Sequence, residues 1–215
     1  MATYLILDLL IILFPLILSF DKKVAFYQKW KHIWQGTLLN MLIFIPWDIA
    51  FTKTGVWEFS EDLTLGIRFF SLPLEEYLFF LVVPYSAIFI YACLEAYFPE
   101  RTFHKGYKGI SLTIIAGALV LYATHMDRLY TAVNSLFLAL ALSIILMSSR
   151  SQFLGRFFIT YLILLVPFAI FNGYLTSLPV VIYNDAENMG IRLGTIPADD
   201  LLYNMGMLLI PIGAY

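Results

Sequence analysis

Long uncharged stretches follow one another along almost the whole chain, and they constrain its fold more than any motif does. Seven apolar segments of spanning or near-spanning length cover 4–20, 33–51, 74–98, 110–124, 129–147, 153–174 and 196–215. A helix needs about 20 mainly apolar residues to cross a bilayer core. The fourth segment is the shortest and weakest. Of the 215 residues 61% are hydrophobic and only 13% charged, against about 25% charged in a soluble domain. That is too little polar surface to coat a globule in water, so the expected class is an all-α integral membrane protein with about seven transmembrane helices. A net charge of −2 offers no basic footprint for nucleic acid. The lone Cys93 cannot form an internal disulfide.

The first segment does not read as a cleaved leader. It lacks a basic start, carries Asp8, and meets no small-residue cleavage site before Asp21-Lys22-Lys23. Loop charge predicts orientation. Lys22, Lys23, Lys29 and Lys31 follow segment one; Arg101, Lys105 and Lys108 follow segment three; Arg150 and Arg156 follow segment five. These nine of the thirteen basic residues fall in alternate loops, which predicts the N-terminus outside and the C-terminus cytoplasmic. Omitting segment four would put the later basic loop on the wrong side.

The chain also repeats itself. Gly66-Ile67-Arg68-Phe69-Phe70-Ser71-Leu72-Pro73-Leu74-Glu75-Glu76 returns as Gly190-Ile191-Arg192-Leu193-Gly194-Thr195-Ile196-Pro197-Ala198-Asp199-Asp200, 124 residues later. The same lag sets Trp47-Asp48 on Phe171-Asn172 and Phe59 on Tyr183. The expected organisation is a three-helix repeat over 1–105, a connecting helix over 106–128 and a second three-helix repeat over 129–215. An odd connector keeps the two repeats parallel, related by an axis along the membrane normal, with a site at their interface.

The loops before segments three and seven are long, acidic and aromatic, and long loops in compact proteins tend to carry function. They hold Glu58, Glu61, Asp62, Glu75 and Glu76, then Asp185, Glu187, Asp199 and Asp200. The acid pairs have a bland explanation. Pro starts a helix well, Ser71 or Thr195 can cap it, and acids suit its first turn. Two copies at the membrane edge favour a site. If the repeats bring the pairs together, repulsion and desolvation hold one acid protonated, giving an acid beside a base. Asp8, Asp48 and Glu95 lie within apolar segments, where acids are functional candidates, and Asp48 lies on the side of the acidic loops. Arg68 and Arg192 are expected to orient the acids. Trp47, Trp57, Phe59, Phe171, Tyr183 and Tyr203 suit core or interface; lining a cavity, they would stabilise a carbocation.

Several classes find no support. No dinucleotide or Walker motif is visible. His32, His104 and His125 are scattered, so no metal-ligand cluster is evident. No lysine follows Lys108, which removes a retinal Schiff base on the last helix.

Pro46-Trp47-Asp48, Gly55-Val56-Trp57-Glu58-Phe59, Pro73-Leu74-Glu75-Glu76, and Asn184-Asp185-Ala186-Glu187-Asn188 through Pro197 together resemble the membrane-embedded lycopene cyclases. That type occurs as two small bacterial subunits, as a fused chain, and as one half of a bifunctional fungal enzyme. The resemblance covers essentially the whole chain as a fused pair. The family's Pro-x-Glu-Glu signature maps on Pro73, Glu75 and Glu76; the second copy has Asp199 and Asp200. It implies cofactor-independent cyclisation of the linear ends of lycopene to β-ionone rings, giving γ-carotene and then β-carotene, in the plasma membrane. Lycopene and γ-carotene are the implied lipid-soluble partners, with the bilayer around them; nucleic acid is not implied, and association with other carotenoid enzymes stays open. An acid would protonate C2 of the terminal alkene and a base would remove the proton at C6. On the resemblance Glu75 or Glu76 with Asp199 or Asp200 form the acid–base set, Asp48, Glu58, Asp185 and Glu187 stand second, and no cofactor or metal is implied. Two other readings stand beside it. One is a carotenoid-end hydratase, in which water traps the cation. The other is a small transporter, against which the second and sixth segments show no central break and the acids cluster at one face.

Overall fold

The computed structural model describes residues 2–98 and 106–215. Arg101, His104 and Lys105, used above, lie outside the described residues. The described residues form seven α-helices: α1 (Thr3–Leu18), α2 (Trp30–Thr54), α3 (Leu74–Tyr97), α4 (Tyr107–Thr124), α5 (Leu129–Met147), α6 (Phe153–Ser177) and α7 (Asp199–Ala214). A 3-10 turn over Phe26–Lys29 leads into α2. Each helix falls on one of the apolar segments. Four of them, α3 to α6, are long and apolar enough to cross a membrane, and α1 is a shorter apolar helix. Its 16 residues span about 24 Å at about 1.5 Å each, less than a bilayer core of about 30 Å. The last helix also begins later than the apolar run, because Ile196–Pro197 is a strand.

The two long loops carry the short strands. After α2 come β1 (Trp57–Phe59), β2 (Arg68–Phe69) and β3 (Leu72–Pro73); after α6 come β4 (Val181–Tyr183), β5 (Arg192–Leu193) and β6 (Ile196–Pro197). β2–β3 and β5–β6 are tight hairpins, with Arg68 opposite Pro73 and Arg192 opposite Pro197. Their turns differ. Phe70 and Ser71 both take positive φ, 49° and 82°, where the second hairpin has Gly194 at 67°. Two-residue hairpins need positive φ at central positions, and glycine adopts it without strain.

β1 and β4 join the two loops across the molecule. They pair antiparallel, Trp57 against Tyr183, Glu58 against Ile182 and Phe59 against Val181. Glu58 and Ile182 are 124 residues apart and directly opposite. The bonds that flank this ladder, Asn184 N–H to Val56 O (2.9 Å) and Ser60 N–H to Val180 O (3.0 Å), recur at the same lag. So do Leu74 N–H to Ile67 O (2.9 Å) and Ala198 N–H to Ile191 O (2.8 Å), which lock each hairpin to the helix after it.

Neither Ser71 nor Thr195 caps a helix, contrary to expectation. No side chain caps α3 or α7. Ser71 occupies the hairpin turn, and the Thr195 hydroxyl pairs with that of Thr176 at 2.6 Å.

Helix α3 is the most enclosed element, touching α1, α2, α6 and α7. Helix α2 packs on α7 so closely that a Cβ on Gly36 would stand 2.8 Å from the Pro211 Cα. Small residues at such crossings let backbones approach. Helix α4 lies along α5 and makes little other contact. Both α2 and α6 run unbroken for 25 residues, Pro46 and Pro167 included. Two apolar clusters fill the interior. One joins α2, α3, α5, α6 and α7 around Phe44, Phe80 and Phe157. The other lies under the strands around Trp57, Leu72 and Tyr130.

Candidate active site

The β1–β4 ladder contributes Trp57, Phe59, Val181 and Tyr183 to the wall of a cavity of about 410 Å³. Three carboxyls reach it: Asp48 from α2, Glu76 from α3 and Asp200 from α7. All three are at least 95% enclosed (2%, 5% and 4% exposed). The rest of the wall is mostly apolar, with Trp57, Phe59 and Phe171 among its aromatic members.

The two acid pairs split the same way. In each, the first acid faces the loop and the second faces the cavity. Glu75 Oε1 accepts the Leu65 N–H at 2.6 Å, and Asp199 Oδ2 accepts the Met189 N–H at 3.1 Å. The Thr131 hydroxyl also donates to Asp199, at 2.5 Å. Both first acids are completely buried; they tie the loop backbone to the start of the next helix. Neighbours on a helix point about 100° apart, which lets one acid of each pair meet the loop while the other meets the cavity.

The second acids are dressed by tyrosines. Tyr4 OH donates to Glu76 Oε2 at 2.6 Å. Tyr130 OH donates to Asp200 Oδ1 at 2.6 Å, while Asn172 Nδ2 and Tyr183 OH donate to its Oδ2 at 2.7 and 2.9 Å. Tyr203 OH donates to Asp48 Oδ1 at 2.6 Å. Asp48 and Glu76 line the same cavity from α2 and α3, which pack against each other. Burial and then the adjacent Asp200 carboxyl push the Tyr183 phenol up, so it keeps its proton and donates.

The tyrosines and Trp57 form one aromatic group. The Trp57 ring meets Tyr130 edge-on at 5.2 Å, Tyr183 at 5.9 Å and Tyr203 at 6.0 Å. Faces and edges in such pairs are electrostatically complementary. Phe59 stacks on Tyr4 at 6.4 Å.

Of the residues singled out in the sequence, Asp48, Glu76, Asp200, Trp57, Phe59, Phe171, Tyr183 and Tyr203 come together at the cavity. The others lie elsewhere. Glu58 points outward from β1. Glu187 accepts the Leu129 N–H at the start of α5, at 3.0 Å. Asp185 is exposed and pairs with Arg192 and Asn188, whose hydrogen bonds, Asn188's first, hold its carboxyl below the usual range. The arginines do not touch the acid pairs. Arg68 donates to Phe59 O at 2.8 Å and Arg192 to Thr195 O at 2.7 Å, so each braces its own loop. Trp47 stands behind the wall, stacked on Phe44 at 5.2 Å.

Tyr4, Tyr130 and Asn172 were not among the expected site residues. A signal for them exists. Tyr4 and Asp8 stand four apart, as do Tyr130 and Asn134, and Asn172 occupies the place of Asp48 at the 124-residue lag.

The chain matches the family model described as lycopene cyclase over residues 1–94 and 127–215. It is similar to bifunctional lycopene cyclase/phytoene synthases of fungi. It is 29% identical to that of Pyrenophora tritici-repentis over 72 residues, 33% of this chain and 12% of the relative. It is 27% identical to that of Podospora anserina over 105 residues, 42% of this chain and 17% of the relative. It is 38% identical to that of Arthroderma gypseum over 47 residues, 22% of this chain and 8% of the relative. The chain thus covers less than a fifth of the length of each of these relatives. No solved structure matches it. The family match takes in six of the seven helices and all three carboxyls of the cavity, and the chain belongs to the lycopene cyclase family.

Proposed function

We propose that this chain cyclises the linear ends of lycopene to β-ionone rings, through γ-carotene to β-carotene. The observation that carries the reading is the trio Asp48, Glu76 and Asp200, buried at one end of an apolar, aromatic-walled cavity. Closing a ring on a linear isoprenoid end needs a proton delivered and a proton removed, with water kept away from the cation between them.

The acid is the Asp48/Glu76 pair. Two buried carboxyls side by side hold one proton between them, because like charges in a dry site disfavour ionising both. That proton passes to C2 of the terminal alkene and leaves a tertiary cation at C1. The electrons of the C5=C6 double bond close the ring and move the positive charge to C5. Asp200, which accepts from Tyr130, Asn172 and Tyr183, is the base that takes the proton from C6. One proton enters and one leaves, so substrate and product are isomers with no net redox change. Trp57 and Phe59 line the cavity, and aromatic rings there can stabilise a cation through their π-density.

The seven helices are read as seven spans, in two parallel three-helix repeats over 1–105 and 129–215 joined through 106–128. The hydrogen bonds that recur at a lag of 124 residues support this, as does the loose attachment of α4. The repeat axis passes between Glu58 and Ile182. Loop charge supports an orientation with the carboxyls toward the outer face of the plasma membrane.

The test is pigment chromatography of lycopene-accumulating cells expressing the chain. Conversion to β-carotene is expected. Unchanged lycopene, with the protein in the membrane, overturns the reading, and a hydroxylated linear product would name a hydratase instead.

A further inference from the structure

The cavity is much longer than an end group requires. Along α3 its wall runs from Glu76 through Val83 to Ile90, about 21 Å at about 1.5 Å per residue. The facing walls are α1, through Leu10, Ile11 and Phe14, and α6, through Leu164 and Phe168. These two helices barely touch each other. Leu10 and Phe14 stand at the rim, 44% and 67% exposed.

The matching positions on the other side of the molecule are filled. Ile11, Phe79 and Phe168 line the open cavity. Their counterparts are Phe137 (lag 126, the lag that relates Tyr4 to Tyr130), Tyr203 and Phe44 (both lag 124). Phe137 meets Phe44 edge-on at 5.4 Å and Trp47 at 5.2 Å. Phe44 meets Tyr203 at 5.2 Å. Phe137 also reaches within 3.1 Å of the point a Cβ on Gly206 would take. A side chain as large as phenylalanine in place of Ile11 closes that side.

We propose that the groove between α1 and α6 binds the polyene chain of the substrate, a long rigid apolar ligand. One linear end lies at Asp48, Glu76 and Asp200, and the rest runs out between the two helices into the bilayer. This rests on the cyclase reading. Its walls have the right chemistry: apolar along the length, with carboxyls at the closed end only. With the matching groove filled, each encounter presents one end of the substrate. The one-ringed product leaves and returns reversed, so γ-carotene appears free before β-carotene.

The test uses full-length protein in membranes, with lycopene and a shortened apo-lycopenal that keeps one linear end. Ile90→Trp and Leu164→Trp narrow the groove away from the acids. Each should lower turnover of lycopene relative to the apo-lycopenal by roughly tenfold or more. Leu42→Trp, on the outward face of α2 and 73% exposed, should leave that ratio as in the wild type. An unchanged ratio in both groove variants overturns the groove. A second readout is independent of how those variants fold. A photocrosslinking side chain at Leu10 or Phe14 should form adducts with lycopene, and one at Leu42 should not. Adducts absent from Leu10 and Phe14 in protein that still cyclises lycopene also overturn it. Failure of the cyclase reading looks different: the wild-type protein leaves lycopene unchanged.

Discussion

The Tyr203 hydroxyl donates a 2.6 Å hydrogen bond to the Asp48 carboxyl, joining residues 155 apart in the chain. It ties α2 to α7 at the cavity wall and fixes one oxygen of a carboxyl whose neighbour is Glu76. Tyr203→Phe keeps the ring and removes the donor. Hydrogen bonds to charged groups contribute roughly 1.5–3 kcal/mol. The expected result is slower cyclisation at unchanged KM, with a displaced pH profile; an unmoved profile at full rate would show that the hydroxyl does not act on the acid.

Carboxamide substitutions should separate the two members of each acid pair. Glu75→Gln and Asp199→Asn keep an oxygen that can accept the Leu65 and Met189 N–H groups, so cyclisation should persist. Glu76→Gln and Asp200→Asn remove the groups facing the cavity and should lower the rate by roughly 100-fold or more, the range of general acid–base catalysis. Pigment analysis of the four variants decides it. The opposite ranking would return the chemistry to the first acids.

Asp8 is 1% exposed, and neither of its oxygens has a hydrogen-bond partner among the described residues. At the same place in the second half, Asn134 donates to the Asp199 carbonyl at 3.2 Å. Asp8→Asn supplies that kind of donor. The variant should be as stable as the wild type or more so, by about 1 kcal/mol, in thermal unfolding in detergent, and should still cyclise lycopene. Loss of activity at full stability would give Asp8 a part in the proton path.

Asp185 is held ionised by Asn188 and Arg192. Its folded-state value lies below the ordinary 3.8, so its contribution is complete above that pH and is lost as pH falls through the lower value. The loop ahead of β5 should therefore loosen in acid, below about pH 4. Hydrogen exchange of residues 184–192 against pH measures this, and Asp185→Asn should flatten the acid limb. The group is exposed, so the effect on global stability should stay within about 1 kcal/mol.

Gly36 sets the approach of α2 to α7. A Cβ there meets Pro211 Cα at 2.8 Å and Ala214 Cβ at 2.9 Å. Gly36→Leu should cost roughly 1–3 kcal/mol through overpacking, read as a lower midpoint of thermal unfolding in detergent. It lies far along α2 from Asp48, so the protein that remains folded should keep its KM for lycopene. A raised midpoint would mean that the helices part there without cost.

The helices, the repeated motifs and the acid pairs were legible in the chain. Apolar length sets helix position through the energetics of burying backbone in lipid, and a repeat 124 residues apart is a property of sequence alone. The family followed from motifs spread over both halves. Three things came only from the tertiary structure. Which acid of each pair faces the cavity depends on the rotation of α3 and α7, because adjacent helical residues diverge by about 100°. Asp48 joins Glu76 because α2 packs beside α3, and no spacing in the chain encodes that neighbour. The open groove at α1 and α6, against its filled counterpart, depends on Phe137 reaching Gly206 from another helix. Local sequence dictates what a segment is; which side chains share a cavity is decided by how rigid helices pack, since packing alone brings distant residues within reach of one proton.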